Sequence, residues 1–158
     1  MTATGTGRGD RHGEDANPQP TDGGVASRAG AVGVVWGIIQ AAAPLGFWWL
    51  DPATVYGLSL ALIAAVYIGF AVADGRPRVI AVETVVATAF VVVGAAGVTG
   101  PAWLMVLGFT GHGLKDLWQH RRQYVVNTRW WPPFCLVVDW VAATILVVLL
   151  LVGVDFHH

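Results

Sequence analysis

The sequence predicts an all-α protein, a five-span transmembrane helical bundle with a disordered N-terminal tail. Three observations carry that prediction. The 158 residues are 55% apolar and only 12% charged, about half of the roughly 25% charge usual in a soluble domain. Five apolar segments of membrane-spanning length follow one another with short Pro-, Gly- or charge-bearing breaks between them. The basic residues gather at alternate breaks, which is the pattern of a chain threaded back and forth through a bilayer.

Residues 1–27 (MTATGTGRGDRHGEDANPQPTDGGVAS) hold four of the ten acidic residues, several Gly and Pro, and no aromatic side chain. Such a stretch buries too little apolar surface to offset its ordering entropy and is expected to be a disordered tail. It does not read as a signal peptide, because the first apolar run begins only near residue 29, too late for a short basic start followed by an apolar core.

From residue 28 to 158 the chain reads as one transmembrane domain. A helix crossing the hydrocarbon layer needs about 20 mostly apolar residues, and the segments 29–50, 53–73, 79–99, 102–120 and 133–154 meet that length. Pro52, Pro101 and Pro133 mark helix starts, where a missing N–H goes unpaired in any case. Pro44 inside the first span is expected to bend it. A buried bundle in a soluble protein is the competing reading, but segments apolar all round leave almost no polar face for water.

The charges orient the domain. Arg8, Arg11 and Arg28, then Arg76 and Arg78, then Arg121, Arg122 and Arg129 fall on one side. The other side has Asp51, Gly100-Pro101 and the terminal GVDFHH, with neither Lys nor Arg. Positive charge stays cytoplasmic, so the N-terminus is expected inside and the C-terminus outside a bacterial inner membrane. Aromatic residues agree: Trp48, Trp49, Tyr56 and Trp103 fall at outer ends, and Trp118, Tyr124, Trp130 and Trp131 at inner ends. Gly33 and Gly37 form a small-xxx-small pair through which a second copy or a partner membrane protein could approach.

A net charge of −1 gives no basic patch for nucleic acid. The single cysteine, Cys135, excludes an internal disulfide and any CxxC motif, and it reads as a small packing residue. The terminal His157-His158 pair is too small a set to make a metal site.

The fourth span carries the one unusual pattern, GHGLKDLWQHRR, with His112, Asp116 and His120 four apart and therefore on one helix face. Counting from the cytoplasmic end, Asp116 is about 6 Å and His112 about 12 Å deeper than His120. Glu83 enters the third span about 7–8 Å from its inner end, and Asp139 the fifth about 9 Å from its own. These side chains therefore share one shallow layer, while the outer half is dry and only Gln40 lies near the middle of the first span. Ionisable groups in a span cost at least about 2.5 kcal/mol each when unpaired, so their clustering needs a reason.

Three reasons compete. In the leading one the layer is a structural knot in a non-catalytic or accessory protein. Asp116 then pairs with His120 or a loop arginine, Asp139 with Arg129, and His112 with Glu83. In the second, His112, Asp116, His120, Asp139 and Glu83 supply ligands for a divalent metal such as zinc, iron or manganese. That would suit a membrane enzyme meeting an inner-leaflet substrate. One ion takes only neighbouring members of the stripe, since His112 and His120 start about 12 Å apart. In the third, Glu83 and His112 are stations on a proton or ion path, which the dry outer half disfavours. Lys115 lies off the stripe and is expected to snorkel to the inner surface.

The stretch from His112 to Trp140, HGLKDLWQHRRQYVVNTRWWPPFCLVVDW, resembles a set of small bacterial membrane proteins. In these a helix with a His/Asp/His pattern leads through a basic loop into a W-W-P-P-F-C-like run and then an aspartate. His112, Asp116, His120, Pro132, Pro133, Cys135 and Asp139 are the matching positions. The resemblance implies a membrane protein whose polar positions work as a unit, and it implies no particular reaction.

Overall fold

The structure, a computed structural model, describes residues 22–47, 49–126 and 128–157. Five α-helices follow one another, and the described residues contain no strand. Helix α1 spans Asp22–Ala42 and runs into a 3-10 turn over Ala43–Gly46; α2 spans Pro52–Asp74, α3 Pro77–Thr99, α4 Trp103–Arg122 and α5 Trp131–Leu151. The first helix begins inside the segment expected to be a disordered tail, whose remainder lies outside the described residues, as does Trp48.

Local chemistry explains the boundaries. Pro44 ends the α-helical ladder of α1 instead of merely bending it, because it has no N–H to donate; the chain tightens into the 3-10 turn and the helical run stops at Gly46, short of residue 50. Asp51 caps α2, its Oδ2 accepting from Thr54 N at 2.8 Å and from the Thr54 hydroxyl at 2.5 Å. Pro52 and Pro77 sit in the first turns of α2 and α3, and Pro132 and Pro133 in that of α5. Gly75, at φ +80°, ends α2 in the left-handed region open to glycine.

Four segments, Ala26–Gly46, Pro52–Asp74, Pro77–Thr99 and Trp131–Leu151, are long and apolar enough to cross a membrane, each rising about 30 Å or more. That is compatible with an integral membrane protein. Helix α4 has the length but not the hydropathy, because its second half carries His112, Lys115, Asp116, Gln119 and His120. Those polar groups turn inward: His112, Asp116 and Gln119 are fully buried, whereas Leu107, Leu114 and Trp118 of the same helix face outward.

In cross-section α1 packs on α5, α5 on α4, and α2 on α3; the α2–α3 hairpin meets α4 through a thinner interface. The outward faces are apolar, with Leu62 at 68% and Val85 at 69% exposure. Inside, Tyr56, Leu60, Met105, Phe109, Leu146 and Phe156 form a larger apolar cluster toward one end. A smaller cluster of Tyr67, Ala71, Val79 and Val125 lies toward the other. The C-terminal segment closes the first end: Ala53 N donates to Phe156 O at 3.1 Å, and the Phe156 ring meets Tyr56 edge-on at 5.4 Å. The Tyr56 hydroxyl donates to Ala41 O at 2.7 Å, tying α1 to α2.

The Gly33–Gly37 pair is engaged within the chain. Both glycines are buried against α5, and a Cβ at either would lie 2.8 Å from Phe134 O or 2.9 Å from Val141 Cβ. Close helix approach through small residues is how α1 gains its packing on α5. A Gly37→Leu substitution is therefore expected to destabilise the fold by about 1–3 kcal/mol through overpacking. Thermal unfolding of the detergent-purified protein measures this, with Gly46→Leu, at a site with open space around it, as the silent control.

Candidate functional site

Between the two apolar clusters lies a polar layer built by four helices. His112 and Asp116 are one turn apart on α4 and face α5 and α2. The close approach of α5 is allowed by Gly113, whose missing side chain leaves room for the indole of Trp140; a Cβ there would lie 2.5 Å from the ring. This brings Asp139 onto His112. The Nδ1 atom of His112 is 2.7 Å from Asp139 Oδ2, a distance at which a ring N–H donates to a carboxylate. The same nitrogen is 3.4 Å from Asp116 Oδ2. From α2 the Tyr67 hydroxyl donates to the other Asp116 oxygen, Oδ1, at 2.6 Å. The rings of Phe90 and Tyr67 meet the imidazole edge-on at 4.9 and 6.1 Å.

Beside this group Lys115 Nζ and Glu83 Oε2 form an ion pair at 2.8 Å, with side-chain exposures of 12% and 2%. The ammonium also lies over the face of Tyr67, an attraction that strengthens where water is excluded. Lys115 thus does not snorkel to the surface as its long stem suggested. A buried carboxylate on α3 with no other described partner holds it inside, because leaving either charge alone in an apolar interior costs more than ordering the lysine stem.

The structure brings together three of the five sequence-proposed ligands. His112, Asp116 and Asp139, all fully buried, offer donor atoms within 4.8 Å of one another and could hold a metal ion. Glu83 belongs to the neighbouring ion pair instead. His120 is half-buried on the next turn of α4, its Nδ1 without a hydrogen-bond partner among the described residues. The expected pairings also change. Asp116 is bonded by Tyr67 and faces His112 rather than His120, His112 meets Asp139 rather than Glu83, and Asp139 takes the imidazole where Arg129 was expected. The side chains do share one level along the helices, but rotation about each helix axis decides the partners.

Two participants were missed. Tyr67 is a tyrosine in mid-helix rather than at a membrane interface, and its hydroxyl needs a buried acceptor. Gln119 lies seven residues after His112 on the same face. Its Nε2 donates to Val125 O at 2.8 Å and to Thr128 Oγ1 at 3.1 Å, and its Oε1 accepts from Val125 N at 3.2 Å. This fixes the connection from α4 to α5. Cys135 is buried, in keeping with a packing role.

At the adjacent end of the bundle Asp74 and Arg76 clasp the same connection. Arg76 donates to Asp74 at 2.5 and 2.7 Å and to Tyr124 O at 2.6 Å, and Val126 N donates to Asp74 Oδ2 at 3.0 Å. The bonded Asp74 carboxylate holds the Arg76 guanidinium above its ordinary pKa.

No family model, no curated protein and no solved structure matches the chain.

Removing one partner of a buried charged bond leaves the other exposed to the apolar interior. Tyr67→Phe is expected to lose about 1.5–3 kcal/mol of stability, and Asp139→Ala about 3–5 kcal/mol. Denaturant or thermal unfolding in detergent reads both, and the ordering Asp139→Ala worse than Tyr67→Phe is the discriminating result.

Proposed function

We propose that the chain is an integral protein of a bacterial inner membrane that crosses it five times, with the N-terminus cytoplasmic and the C-terminus outside. In this reading it is non-catalytic, serving as an accessory membrane component whose polar layer fixes helix packing. The observation that carries the packing role is the complete burial of His112, Asp116 and Asp139 together with their bonds across α2, α4 and α5. A catalytic group has to be reached by its substrate, and these three side chains have no exposed surface. Among the described residues the cluster of Leu60, Met105, Phe109 and Leu146 toward the far end is apolar, and the Tyr56 hydroxyl within it is bonded to Ala41 O, which disfavours a proton or ion path.

The reading of five crossings is supported by α4, which packs on α3 and α5 with its polar side chains turned inward and its leucines outward. Hydropathy undervalues such a helix, since lipid meets only its outer face. The arginines at alternate connections support the inside placement of Arg76, Arg78, Arg121 and Arg122. The likeness of residues 112–140 to small bacterial membrane proteins supports the choice of membrane.

Single-cysteine labelling in intact cells, in a Cys135→Ala background, tests the threading. Cysteines at Asp51, Gly100 and Gly153 are expected to react from outside, and those at Arg76 and Arg122 only after permeabilisation. Reaction of Gly100 and Arg122 from the same side would mean that α4 does not cross. A double-mutant cycle of Tyr67→Phe with Asp116→Asn tests the packing role. Coupling of at least about 0.5 kcal/mol is expected for residues in one network, and additive losses would remove the network as the reason for the layer.

A further inference from the structure

The charges of the polar layer do not cancel among themselves. Glu83 is matched by Lys115 at 2.8 Å. Asp116 and Asp139 remain, both fully buried, with a single imidazole between them. One Nδ1–H satisfies one carboxylate oxygen. His112 Nε2, Asp116 Oδ2 and Asp139 Oδ1 are left buried without a hydrogen-bond partner among the described residues. Buried polar atoms in folded proteins almost always have partners, so the free Asp116 Oδ2, facing the Nδ1 edge of the imidazole at 3.4 Å, points to a ligand between them.

We propose that His112, Asp116 and Asp139 bind one divalent transition-metal ion, of the zinc, manganese or ferrous class, that bridges α4 and α5. The proposal deepens the packing role of the layer and rests on it. Two carboxylates and a neutral imidazole around a doubly charged ion leave no net charge in the interior. Nitrogen and oxygen donors of this kind suit those metals and not soft copper(I). The distances fit as well. Ligands about 2.0–2.2 Å from a common ion stand roughly 3 Å from one another, and His112 Nδ1 is already 2.7 Å from Asp139 Oδ2 and 3.4 Å from Asp116 Oδ2. The three donor atoms lie within 4.8 Å of one another, so rotation of the carboxylates and a change of imidazole tautomer convert the hydrogen-bonded arrangement into a ligand set. The ring proton then sits on Nε2 and the Nδ1 lone pair faces the ion.

The surroundings are those of a supported metal site. Tyr67 occupies Asp116 Oδ1 and so turns Oδ2 toward the imidazole; outer hydrogen bonds of this sort hold ligating carboxylates in place. Glu83 holds the Lys115 ammonium and keeps a competing cation from Asp116. Since all three ligands are sealed from solvent, the ion enters as α4 and α5 come together and exchanges slowly afterwards.

The test uses the full chain purified in detergent without a histidine tag, and elemental analysis after dialysis against EDTA. About one zinc, manganese or iron per chain is expected, falling at least about tenfold in Asp139→Asn. Protein from metal-depleted cells, refolded with Zn²⁺, Mn²⁺ or Fe²⁺ alone, is expected to unfold at a higher temperature than the same protein refolded without metal. That comparison needs no variant, so it decides the matter even where Asp139→Asn does not accumulate. Metal below about a tenth of an ion per chain and no shift with any of the three ions would overturn the site. So would metal retained in Asp139→Asn, or metal lost instead from a His157→Ala, His158→Ala variant. Failure of the site leaves the cysteine-labelling pattern and the Tyr67–Asp116 coupling unchanged, whereas failure of the packing role abolishes that coupling.

Discussion

The contact on which the arrangement depends is the imidazole of His112 held between the carboxylates of Asp139 and Asp116. The outside of this bundle is as apolar as its inside, with Leu58, Leu62, Leu107 and Leu151 all strongly exposed. In a bilayer, apolar burial alone would not choose between rotations of such a helix about its own axis, because lipid would receive a leucine as readily as the core does. Polar side chains do choose. An acid or imidazole turned outward would face hydrocarbon without a partner, so the helices settle where these groups meet. The rotation of α4 is set in this way, and with it the outward placement of Leu107, Leu114 and Trp118.

The bundle divides into two parts joined by the apolar cluster of Tyr56, Leu60, Met105, Phe109 and Leu146 and by a set of polar bonds. Helices α1, α4 and α5 pack closely as one group, through Gly33, Gly37 and Gly113, and α2 and α3 pack closely as a hairpin. Between the groups the contact is thinner. There Tyr67 bonds Asp116, Glu83 pairs with Lys115, and Asp74 and Arg76 reach the backbone of the α4–α5 connection. Small residues govern how near helices come, while the directional bonds govern which helices meet and in what register. Such bonds repay their desolvation only when the geometry is good, which is why they act on specificity more than on the total stability.

Helix positions were legible in the sequence because their signals are local. Pro52, Pro77 and the Pro132-Pro133 pair stand in first turns, and Asp51 caps α2. The level shared by Glu83, His112, Asp116 and Asp139 was legible from rise per residue. What was not legible is azimuth. Lys115 follows His112 by three positions and was expected off the stripe, yet it is turned inward because Glu83 awaits it on a helix distant in sequence. His120 continues the spacing of the stripe but falls beyond the part of α4 that Asp139 reaches. Gly33 and Gly37 were legible as a contact surface, though nothing local says whether the partner is another copy or, as found, α5. The early start of α1 at Asp22 was hidden by a glycine-rich, polar composition that reads as a tail.

The Glu83–Lys115 pair bears on why two further acids can share so small a volume. A lone ammonium near Asp116 would neutralise that carboxylate directly and close the site as a hydrogen-bonded lock. With Glu83 holding Lys115 at 2.8 Å, the hydrogen bond to Asp116 comes from Tyr67, a neutral donor that orients the carboxylate without cancelling it. Two negative groups then converge on one imidazole in an interior where Coulomb terms are poorly screened. Mutual repulsion of this kind has to be balanced by protons or by a cation. The donor types and the sub-5 Å spacing of the three ligand atoms favour the cation, because a single divalent ion balances both carboxylates at once.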